Sequence, residues 1–294
     1  MLHLIVNPTA GRGRALPHLD AIVRTLEAAG ATVAVHTTTE PAAARALVAA
    51  VPTGGTAVAV GGDGTVHAVM RACLEHDRRL GVLPFGSGDD FAHALGLGRT
   101  RPQQAVRALL EGRERRIDVG TVNGEPFVNA FGTGFDADVA RRILAAPPSF
   151  RGVARYLYGV VSALRDFRLA DVALQMTTTD GEIERFEGPA LLVAVQNGPR
   201  TGGSFRFAPS ARPDDGVLDV VVAGAFGRVG TLAILPRVMR GRHLDHPHVH
   251  RFAATSIDLK WSTPMAGHAE GEPQPVDRAY RVRLRPGALR VVAP

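Results

Sequence analysis

The sequence predicts an α/β fold, with an N-terminal parallel-sheet domain followed by a C-terminal antiparallel β-sandwich domain. Short aliphatic runs alternate with amphipathic segments over residues 1–120, which is typical of parallel strands joined by helices. An Asn-Gly turn signal at 123–124 then separates two β-prone runs, and strand patterns dominate to residue 285. The 294 residues and 45% hydrophobic composition suffice for two cores. We therefore expect domains at 1–120 and 121–285, with a tail at 286–294 that could return to the first domain.

The elements of the first domain follow from hydrophobic periodicity. Continuous aliphatic runs predict strands that are buried in a parallel sheet, and apolar residues at helical spacing predict the connecting helices. Gly30 marks the end of the first helix. The predicted strands are Leu2–Val6, Thr32–Thr37, Ala57–Val60 and Leu80–Leu83, and the predicted helices are Pro17–Ala29, Pro41–Ala50, Val66–Glu75 and Arg101–Leu110.

The second domain is rich in strands and in turns that contain Asp and Gly. Asp180-Gly181 and Asp214-Asp215-Gly216 are typical turn sequences. The predicted strands are Val172–Thr177, Pro189–Gln196, Val217–Val222, Ser256–Trp261 and Tyr280–Arg285.

One segment of the second domain, Arg151–Phe167, has apolar residues at helical spacing. The pattern favours a helix packed on the sandwich. The alternative is a helix that docks on a membrane, because arginines flank the apolar stripe. The stripe comprises Val153, Tyr156, Leu157, Val160, Val161, Leu164 and Phe167, and the flanking cations are Arg151, Arg155, Arg165 and Arg168.

The basic composition limits the classes of ligand. A net charge of +6 and a pI near 10.5 favour an anionic partner. Lys260 is the single lysine, so 34 − 1 = 33 basic residues are arginine, and they are scattered along the chain. This distribution argues against nucleic-acid binding. A P-loop requires a lysine after a glycine run, and Lys260 does not follow one, so a P-loop is excluded. Phosphate would therefore have to be held by backbone amides, arginine or metal.

The sequence also indicates a location. No apolar run approaches the roughly 18–20 residues that a membrane span needs, and Asn7-Pro8 interrupts the first run too early for a signal peptide. Cys73 is the single cysteine, which excludes an internal disulfide and agrees with a reducing compartment. Cys73 is expected to fill the apolar face of its helix. We therefore expect a cytoplasmic protein.

Three loops rich in small or polar residues follow predicted strands of the first domain. Gly61–Thr65 follows Ala57–Val60 and opens a helix, so its glycines allow a ligand to come close and its N–H groups can face an anion. Asn7–Gly11 and Gly86–Ala92 follow two other strands. The carboxyl ends of parallel strands meet at one edge of a sheet, where open α/β folds bind ligands. These loops therefore predict one composite phosphate site.

These loops, with Asp214–Asp219 and Gly271-Glu272, occur in the same order as the motifs of the diacylglycerol kinase catalytic family. The chain resembles this family of bacterial lipid kinases, related to sphingosine and ceramide kinases, over essentially its whole length. The resemblance implies a nucleotide-binding α/β domain and a lipid-facing β-sandwich. It also implies ATP-dependent phosphorylation of a lipid hydroxyl in the cleft between the two domains.

The resemblance also implies roles for individual residues. Glu272 matches the proposed general base. A structural magnesium site would comprise the Asp215 carboxylate and the carbonyls of Arg212 and Val217. The expected ATP contacts are Asn7, Pro8, Thr9, Ala10, Gly11, Thr38, Gly61, Gly62, Asp63, Gly64, Thr65 and Ser87.

Two aspartates have roles that the residues themselves suggest. Asp63 suits a second catalytic role, holding Mg²⁺ or orienting the γ-phosphate, because hard oxygen ligands suit that ion. The alternative for Asp63 is a local Asx contact that stabilises the turn. Asp136 could bind a lipid headgroup hydroxyl or could be an ordinary turn acid.

The sequence departs from the family pattern at three positions. Asp89 and His67 stand where the family usually has Asn, and Glu270 stands where it usually has Asp. Asp89 exchanges an amide donor for a carboxylate, which could recruit a second cation or weaken ATP binding. Because of Asp89 and His67, the sequence does not predict the nucleotide preference or the catalytic rate.

A histidine cluster is a separate candidate. His243, His246, His248 and His250 lie close in sequence, and the last three would share a face if they formed a strand and could then bind zinc. Asp245 and Pro247 favour an exposed connection instead.

The leading functional hypothesis is an ATP- and Mg²⁺-dependent lipid kinase that acts on diacylglycerol or a similar lipid alcohol at the inner membrane surface. An NAD kinase-like enzyme is an alternative, because it shares the GGDGT turn, although the Gly86–Ala92 loop and Gly271-Glu272 favour the lipid branch. A second alternative is a nucleotide- or lipid-binding regulator with little catalytic turnover. The sandwich has edge strands that could pair with a second copy of the chain, so a homodimer is possible. The sequence does not encode which lipid is the substrate.

Overall fold

The structure is a computed structural model that describes residues 1–97, 102–147, 149–150, 153–166 and 168–294. Contacts between residues divide the chain into two compact units. Unit 1 comprises residues 1–119 and 285–294. Unit 2 comprises residues 120–284.

Unit 1 alternates strands with helices, as predicted for an α/β fold. Its elements are β1 Leu2–Val6, α1 Leu16–Ala28, β2 Val33–Thr37, α2 Pro41–Ala49, β3 Thr56–Gly61, α3 Asp63–His76, β4 Arg79–Pro84, α4 Asp90–Ala94 and α5 Pro102–Glu111. The strands pair in parallel in the order β4-β3-β1-β2. Every residue of β1 and β3 is buried, which explains their continuous aliphatic sequences. The predicted parallel sheet is confirmed.

The predicted bounds differ from the observed ones mainly beside the glycine turns. Helix α3 begins at Asp63, three residues before the predicted Val66, because Gly62 is extended and serves as its N-cap. Helix α4 was not predicted, since it is too short for helical periodicity to show. The predicted start of α5 at Arg101 lies outside the described residues.

The described part of unit 2 consists of antiparallel strands and three helices. The elements in this part of the chain are β5 Arg113–Val122, β6 Glu125–Phe127, β7 Ala130–Gly134, α6 Phe135–Leu144, α7 Val153–Arg165, β8 Ala170–Thr177, β9 Ile183–Ala190, β10 Leu192–Gln196, β11 Leu218–Ala223, α8 Arg228–Met239, β12 Val249–Ala254, β13 Ser256–Ala269 and β14 Glu272–Ala293. Residues of β5 and β14 belong to both units. In unit 1, Val291 of β14 pairs in parallel with Leu80 of β4.

The long strand β13 organises the sheet of unit 2. Its first part, Ser256–Trp261, pairs with β8, and its last part, Gly267–Ala269, pairs with β7. The antiparallel order is β12-β11-β10-β7-β13-β14, and β9 pairs with β8. Trp261 is fully buried in the core, where its Nε1–H donates to Thr133 Oγ1 at 3.2 Å. The predicted antiparallel, sandwich-like domain is confirmed.

Several predicted elements of unit 2 were right in type but wrong in extent. Asn123 and Gly124 both have positive φ in the turn that joins β5 to β6, which confirms the hairpin. The predicted strand Pro189–Gln196 is split at Leu191, whose N–H donates to the carbonyls of Ala223 and Gly224. The strands predicted at Ser256–Trp261 and Tyr280–Arg285 are parts of the longer β13 and β14.

Helix α7 packs partly as the favoured interpretation predicted. Val160 and Leu164 lie in a hydrophobic core together with residues of α6 and α8. Leu157 and Val161 remain exposed. Of the other residues in the predicted stripe and its flanks, Arg151 and Phe167 and the side chains of Val153, Arg155 and Tyr156 lie outside the described part of the structure. In the described part, no helix has the length and apolar character required to cross a bilayer.

Cys73 lies on the buried face of α3, as expected. Burial raises the pKa of its thiol to about 12, and nearby Arg78 opposes this effect only weakly. We predict that Cys73 of the native protein does not react with a thiol reagent at pH 8, because the thiolate is the reactive form. The measurement compares native protein with protein in guanidinium chloride. Equal labelling rates in the two conditions would contradict the prediction.

Candidate active site

The three predicted loops meet at one edge of the sheet in unit 1. Val6 of β1 pairs with Val60 of β3, and Val60 pairs with Leu83 of β4, so the strands end in register. The first loop is joined to β3 by a hydrogen bond from Asn7 N–H to the Val60 carbonyl, at 3.0 Å. The third loop is joined to the same strand by Phe85 N–H, which donates to the Gly61 carbonyl at 2.8 Å.

Asp63 holds the second and third loops together. Its Oδ2 accepts a hydrogen bond from Asp89 N–H at 2.9 Å, and its Oδ1 accepts one from Asp90 N–H at 2.8 Å. Asp63 is the first residue of α3, and Asp89 and Asp90 begin α4. The Asp63 carboxylate therefore caps the next helix along the sheet, which is a longer-range role than the local Asx contact considered from sequence.

Glycines allow the loops to approach one another. A methyl group on Gly62 would lie 2.8 Å from Gly86 Cα, and one on Gly86 would lie 2.5 Å from Gly62 Cα. Gly11 has φ of +56°, and a methyl group there would lie 1.9 Å from the Phe85 carbonyl oxygen. Gly64 differs, because a methyl group there would meet no atom within 4 Å. Packing of the described residues thus requires Gly11, Gly62 and Gly86, but it does not explain Gly64.

Arg14 is a site residue that the sequence reasoning missed. Its Nε donates to the Gly11 carbonyl at 3.0 Å, and its Nη2 donates to the carbonyls of Phe85, at 3.3 Å, and Gly86. The guanidinium therefore bridges the first and third loops. The one sequence feature that indicates Arg14 as a site residue is its position in a run of arginines and glycines directly after Asn7–Gly11.

The two departures from the family pattern in unit 1 are both structurally accommodated. Asp89 is buried with φ of +53°, a conformation that Asn and Asp tolerate, and its Oδ1 accepts a hydrogen bond from Gly86 N–H at 2.7 Å. An Asn oxygen could fill the same role. Burial, and less strongly Arg71, lowers the pKa of His67 to about 4, so His67 is neutral near pH 7.

The other predicted nucleotide residues lie at the same sheet edge. Asn7 Oδ1 accepts hydrogen bonds from the N–H and the hydroxyl of Thr9, so this side chain shapes its own loop. Thr38 follows β2, and its hydroxyl accepts a hydrogen bond from Glu40 N–H at 3.0 Å beside the start of α2. Ser87 is exposed at the tip of the third loop. Pro8, Ala10 and Thr65 complete the predicted set within the first and second loops.

In unit 2, Glu272 follows a tight turn between β13 and β14. Glu270 and Gly271 both have positive φ, and Glu272 pairs with Ala269 across the hairpin. The Glu272 residue is exposed. Glu270 is held firmly, because its Oε1 accepts hydrogen bonds from Val128 N–H at 2.7 Å and Asn129 N–H at 2.6 Å. The longer side chain at position 270, where the family usually has Asp, thus anchors the turn.

His268 and Asp136 form a second support for this turn. His268 is buried, its Nδ1 accepts a hydrogen bond from Gly271 N–H at 3.3 Å, and its Nε2 lies 3.2 Å from Asp136 Oδ2. A methyl group on Gly132 would lie 2.2 Å from that Asp136 oxygen, so glycine is needed there. His268 was not predicted from sequence. One Asp136 oxygen lies against His268, and the expectation that Asp136 binds a headgroup hydroxyl stays a prediction.

The predicted magnesium turn has hard oxygen donors but little enclosure. Asp215 is exposed, and its Oδ1 accepts a hydrogen bond from Val217 N–H at 3.2 Å. Arg212 Nε lies 3.6 Å from Asp214 Oδ1. Burial, and then the charge of Asp215, raises the pKa of Asp219, and the charge of Arg251 opposes this shift. The donor set therefore suits a cation.

The histidine cluster does not form the zinc site considered from sequence. His246 and His248 lie in the turn that precedes β12, so only His250 is on a strand. His250 packs against Phe186 at 4.9 Å between ring centroids, whereas His246 and His248 pack against Phe226. Within the described ranges, no three His, Cys, Asp or Glu side chains are grouped to hold a metal ion.

Two family models match the chain. The diacylglycerol kinase catalytic domain matches residues 1–122, and the YegS C-terminal NAD kinase beta sandwich-like domain matches residues 129–293. A diacylglycerol kinase from Bacillus subtilis (strain 168) is 29% identical over 273 residues, which cover 92% of this chain and 88% of that relative. A probable lipid kinase YegS-like protein from Pseudomonas fluorescens is 33% identical over 279 residues, which cover 93% and 90%.

A solved structure also resembles the whole chain. The crystal structure of a proposed diacylglycerol kinase from Bacillus anthracis str. Sterne matches with a TM-score of 0.79 and 25% sequence identity. The match covers 100% of this chain and 95% of that one. The chain therefore belongs to the diacylglycerol kinase and YegS-like lipid kinase family.

Proposed function

We propose that the protein transfers the γ-phosphoryl group of ATP to the hydroxyl of diacylglycerol or a similar lipid alcohol, with Mg²⁺ as cofactor. The observation that carries the proposal is the pair of glycine turns that Asp63 holds together in unit 1. The first N–H groups of α3 have no partners inside the helix and suit a phosphate. The relatives named diacylglycerol kinase and lipid kinase support a lipid as acceptor.

The geometry of unit 1 suits a nucleotide. Phosphoryl transfer needs little covalent chemistry from a protein, and positioning together with charge stabilisation supplies most of the catalysis. The loops after β1, β3 and β4 would position the phosphates with backbone N–H groups, and Gly64 leaves open space above α3 for them. Arg14 would keep the first and third loops together while ATP binds.

Asp63 fits a magnesium ion chemically. Each Asp63 oxygen accepts one backbone hydrogen bond, so lone pairs remain on both oxygens, and carboxylate oxygens are ligands that Mg²⁺ prefers. Mg²⁺ bound there would neutralise charge on the β- and γ-phosphate oxygens. The turn with Arg212, Asp215 and Val217 would hold a second, structural ion.

Glu272 would act as the general base. The lipid oxygen forms a bond to the γ-phosphorus, the bond from that phosphorus to the ADP oxygen breaks, and the hydroxyl proton passes to the Glu272 carboxylate. An exposed carboxylate on a well-anchored turn suits this role, because the turn fixes its position while the side chain can reach a substrate. We further propose that the protein acts peripherally at the inner membrane surface, where its lipid substrate is found.

We predict that Glu272→Gln lowers lipid phosphorylation by about 10²–10⁴-fold, because the amide cannot accept the proton. Transfer of labelled phosphate from ATP is measured with diacylglycerol, sphingosine, ceramide and polyprenols as acceptors. Glu182→Gln, in an exposed hairpin of unit 2, is the matched control and should retain activity. Formation of NADP from NAD in place of a lipid product would overturn the proposal, as would ATP binding without any turnover.

We predict that Gly64→Ala weakens ATP binding at least about tenfold while leaving thermal stability unchanged or slightly raised. The added methyl group meets no protein atom, and alanine favours a helix by up to about 1 kcal/mol over glycine. Gly62→Ala is the comparison and should lower stability, because its methyl group would collide with Gly86. Calorimetric titration and thermal unfolding measure the two effects. Wild-type ATP affinity in Gly64→Ala would contradict a phosphate site above this residue.

We also propose that His268 is a positioning residue for the turn that carries Glu272. His268→Asn retains an oxygen acceptor for Gly271 N–H but loses the contact with Asp136, whereas His268→Ala loses both contacts. We therefore expect kcat to fall in the order wild type, His268→Asn, His268→Ala, with an unchanged KM for ATP. A parallel loss of stability with unaltered kcat in the folded fraction would show that His268 has only a structural role.

A further inference from the structure

A hollow of about 400 Å³ lies along one face of α8 in unit 2. We call it the α8 hollow. Gly227, Gly230 and Ala233 line the helix side and are too small to fill it. Arg237, His246 and His248 also line the hollow. None of these residues has a part in the proposed phosphoryl transfer.

The Arg237 guanidinium gives the α8 hollow a positive charge. Within the part of the chain that the structure describes, no Asp or Glu side chain forms an ion pair with Arg237, His246 or His248. Desolvation, followed by the charges of His248 and Arg237, lowers the pKa of His246, which favours the neutral form of this ring. An anion in the α8 hollow would be attracted by the Arg237 guanidinium.

Hydrogen bonds fix which nitrogen of each imidazole carries its proton. His246 Nδ1 accepts a hydrogen bond from His248 N–H at 3.2 Å, so the proton of the neutral His246 ring is on Nε2. His248 Nδ1 lies 3.1 Å from the Ala225 carbonyl, which can only accept, so this ring carries its proton on Nδ1. In their neutral forms, the two rings therefore offer one Nε2 donor and one Nε2 acceptor.

The two rings are held in place before any ligand binds. Phe226 is almost fully buried, and its ring centroid lies 4.9 Å from that of His246 and 5.6 Å from that of His248. The two imidazoles are 5.5 Å apart and nearly perpendicular. A ligand would thus meet donors and an acceptor that need little reorganisation.

We propose that the α8 hollow binds a phosphate group, either free or as the phosphomonoester headgroup of a lipid. The ionised phosphate oxygens accept hydrogen bonds from Arg237 and from His246 Nε2–H. The hydroxyl of a monoprotonated phosphate donates to His248 Nε2. Sulfate has similar size and charge but carries no proton near neutral pH, so it satisfies the donors and leaves the His248 acceptor unpaired.

Nitrogen NMR of the full chain with ¹⁵N-labelled histidine tests the proposal. Inorganic phosphate at neutral pH should shift the side-chain signals of His246 and His248 in a saturable manner, and sulfate at equal ionic strength should bind about tenfold more weakly. His246→Gln and His248→Gln assign the signals. Phosphate held by the glycine loops of unit 1 does not interfere, because those loops contain neither histidine.

Arg237→Gln should weaken this phosphate binding about tenfold, because it removes a charge-assisted hydrogen bond. Arg242→Gln is the matched control: it removes one exposed charge nearby that does not line the α8 hollow, and binding should be unchanged. The absence of saturable shifts, or equal loss in the two arginine variants, would overturn the proposal.

Vesicles distinguish the two sources of phosphate. Co-sedimentation is compared for phosphatidylcholine vesicles with and without phosphatidic acid. Binding that requires phosphatidic acid and Arg237, and that glycerol 3-phosphate competes away, identifies a lipid headgroup as the ligand. Arg237-dependent binding of inorganic phosphate without vesicle binding identifies a soluble ligand.

Discussion

The Asp63 carboxylate is the interaction on which the candidate site in unit 1 depends. It accepts two backbone hydrogen bonds from the start of α4 while it begins α3, and each bond to an ionised acceptor contributes roughly 1.5–3 kcal/mol. These bonds bring Gly62 and Gly86 into contact, which only glycine at both positions permits. Arg14 adds the loop after β1 to the same assembly. The proposed phosphate cradle is therefore assembled without a P-loop lysine, through one acid, one arginine and close backbone contacts.

Unit 2 uses the same physical device around Glu272. Glu270 accepts two backbone hydrogen bonds on one side of the hairpin turn, and His268 accepts another from Gly271. These hydrogen bonds fix the turn from which the exposed Glu272 residue projects. In unit 1 the acid nearest the proposed chemistry, Asp63, makes the supporting hydrogen bonds itself, whereas in unit 2 Glu270 and His268 support the turn that carries Glu272.

Much of this architecture could be predicted from sequence, because it depends on local patterns. The aliphatic runs of β1 and β3, the glycines after β3 and the Asn123-Gly124 turn each have a short-range physical cause. The parts that could not be predicted depend on distant contacts. Asp63 bonds to residues 26 and 27 positions away, and Glu270 bonds to residues 142 and 141 positions away. The length of β13 and β14 was missed for a similar reason: pairing with several strands, rather than alternation in their own sequence, extends them.

Hydrogen–deuterium exchange with and without ATP and Mg²⁺ tests the composite nucleotide site most directly. We expect the segments Asn7–Gly11, Gly61–Thr65 and Gly86–Asp90 to become protected together, since each follows a different strand at the same edge of the sheet. Asp63→Asn should reduce protection in all three segments, although the substitution lies in only one. Protection confined to a single segment, or protection elsewhere with these three unchanged, would contradict the composite site.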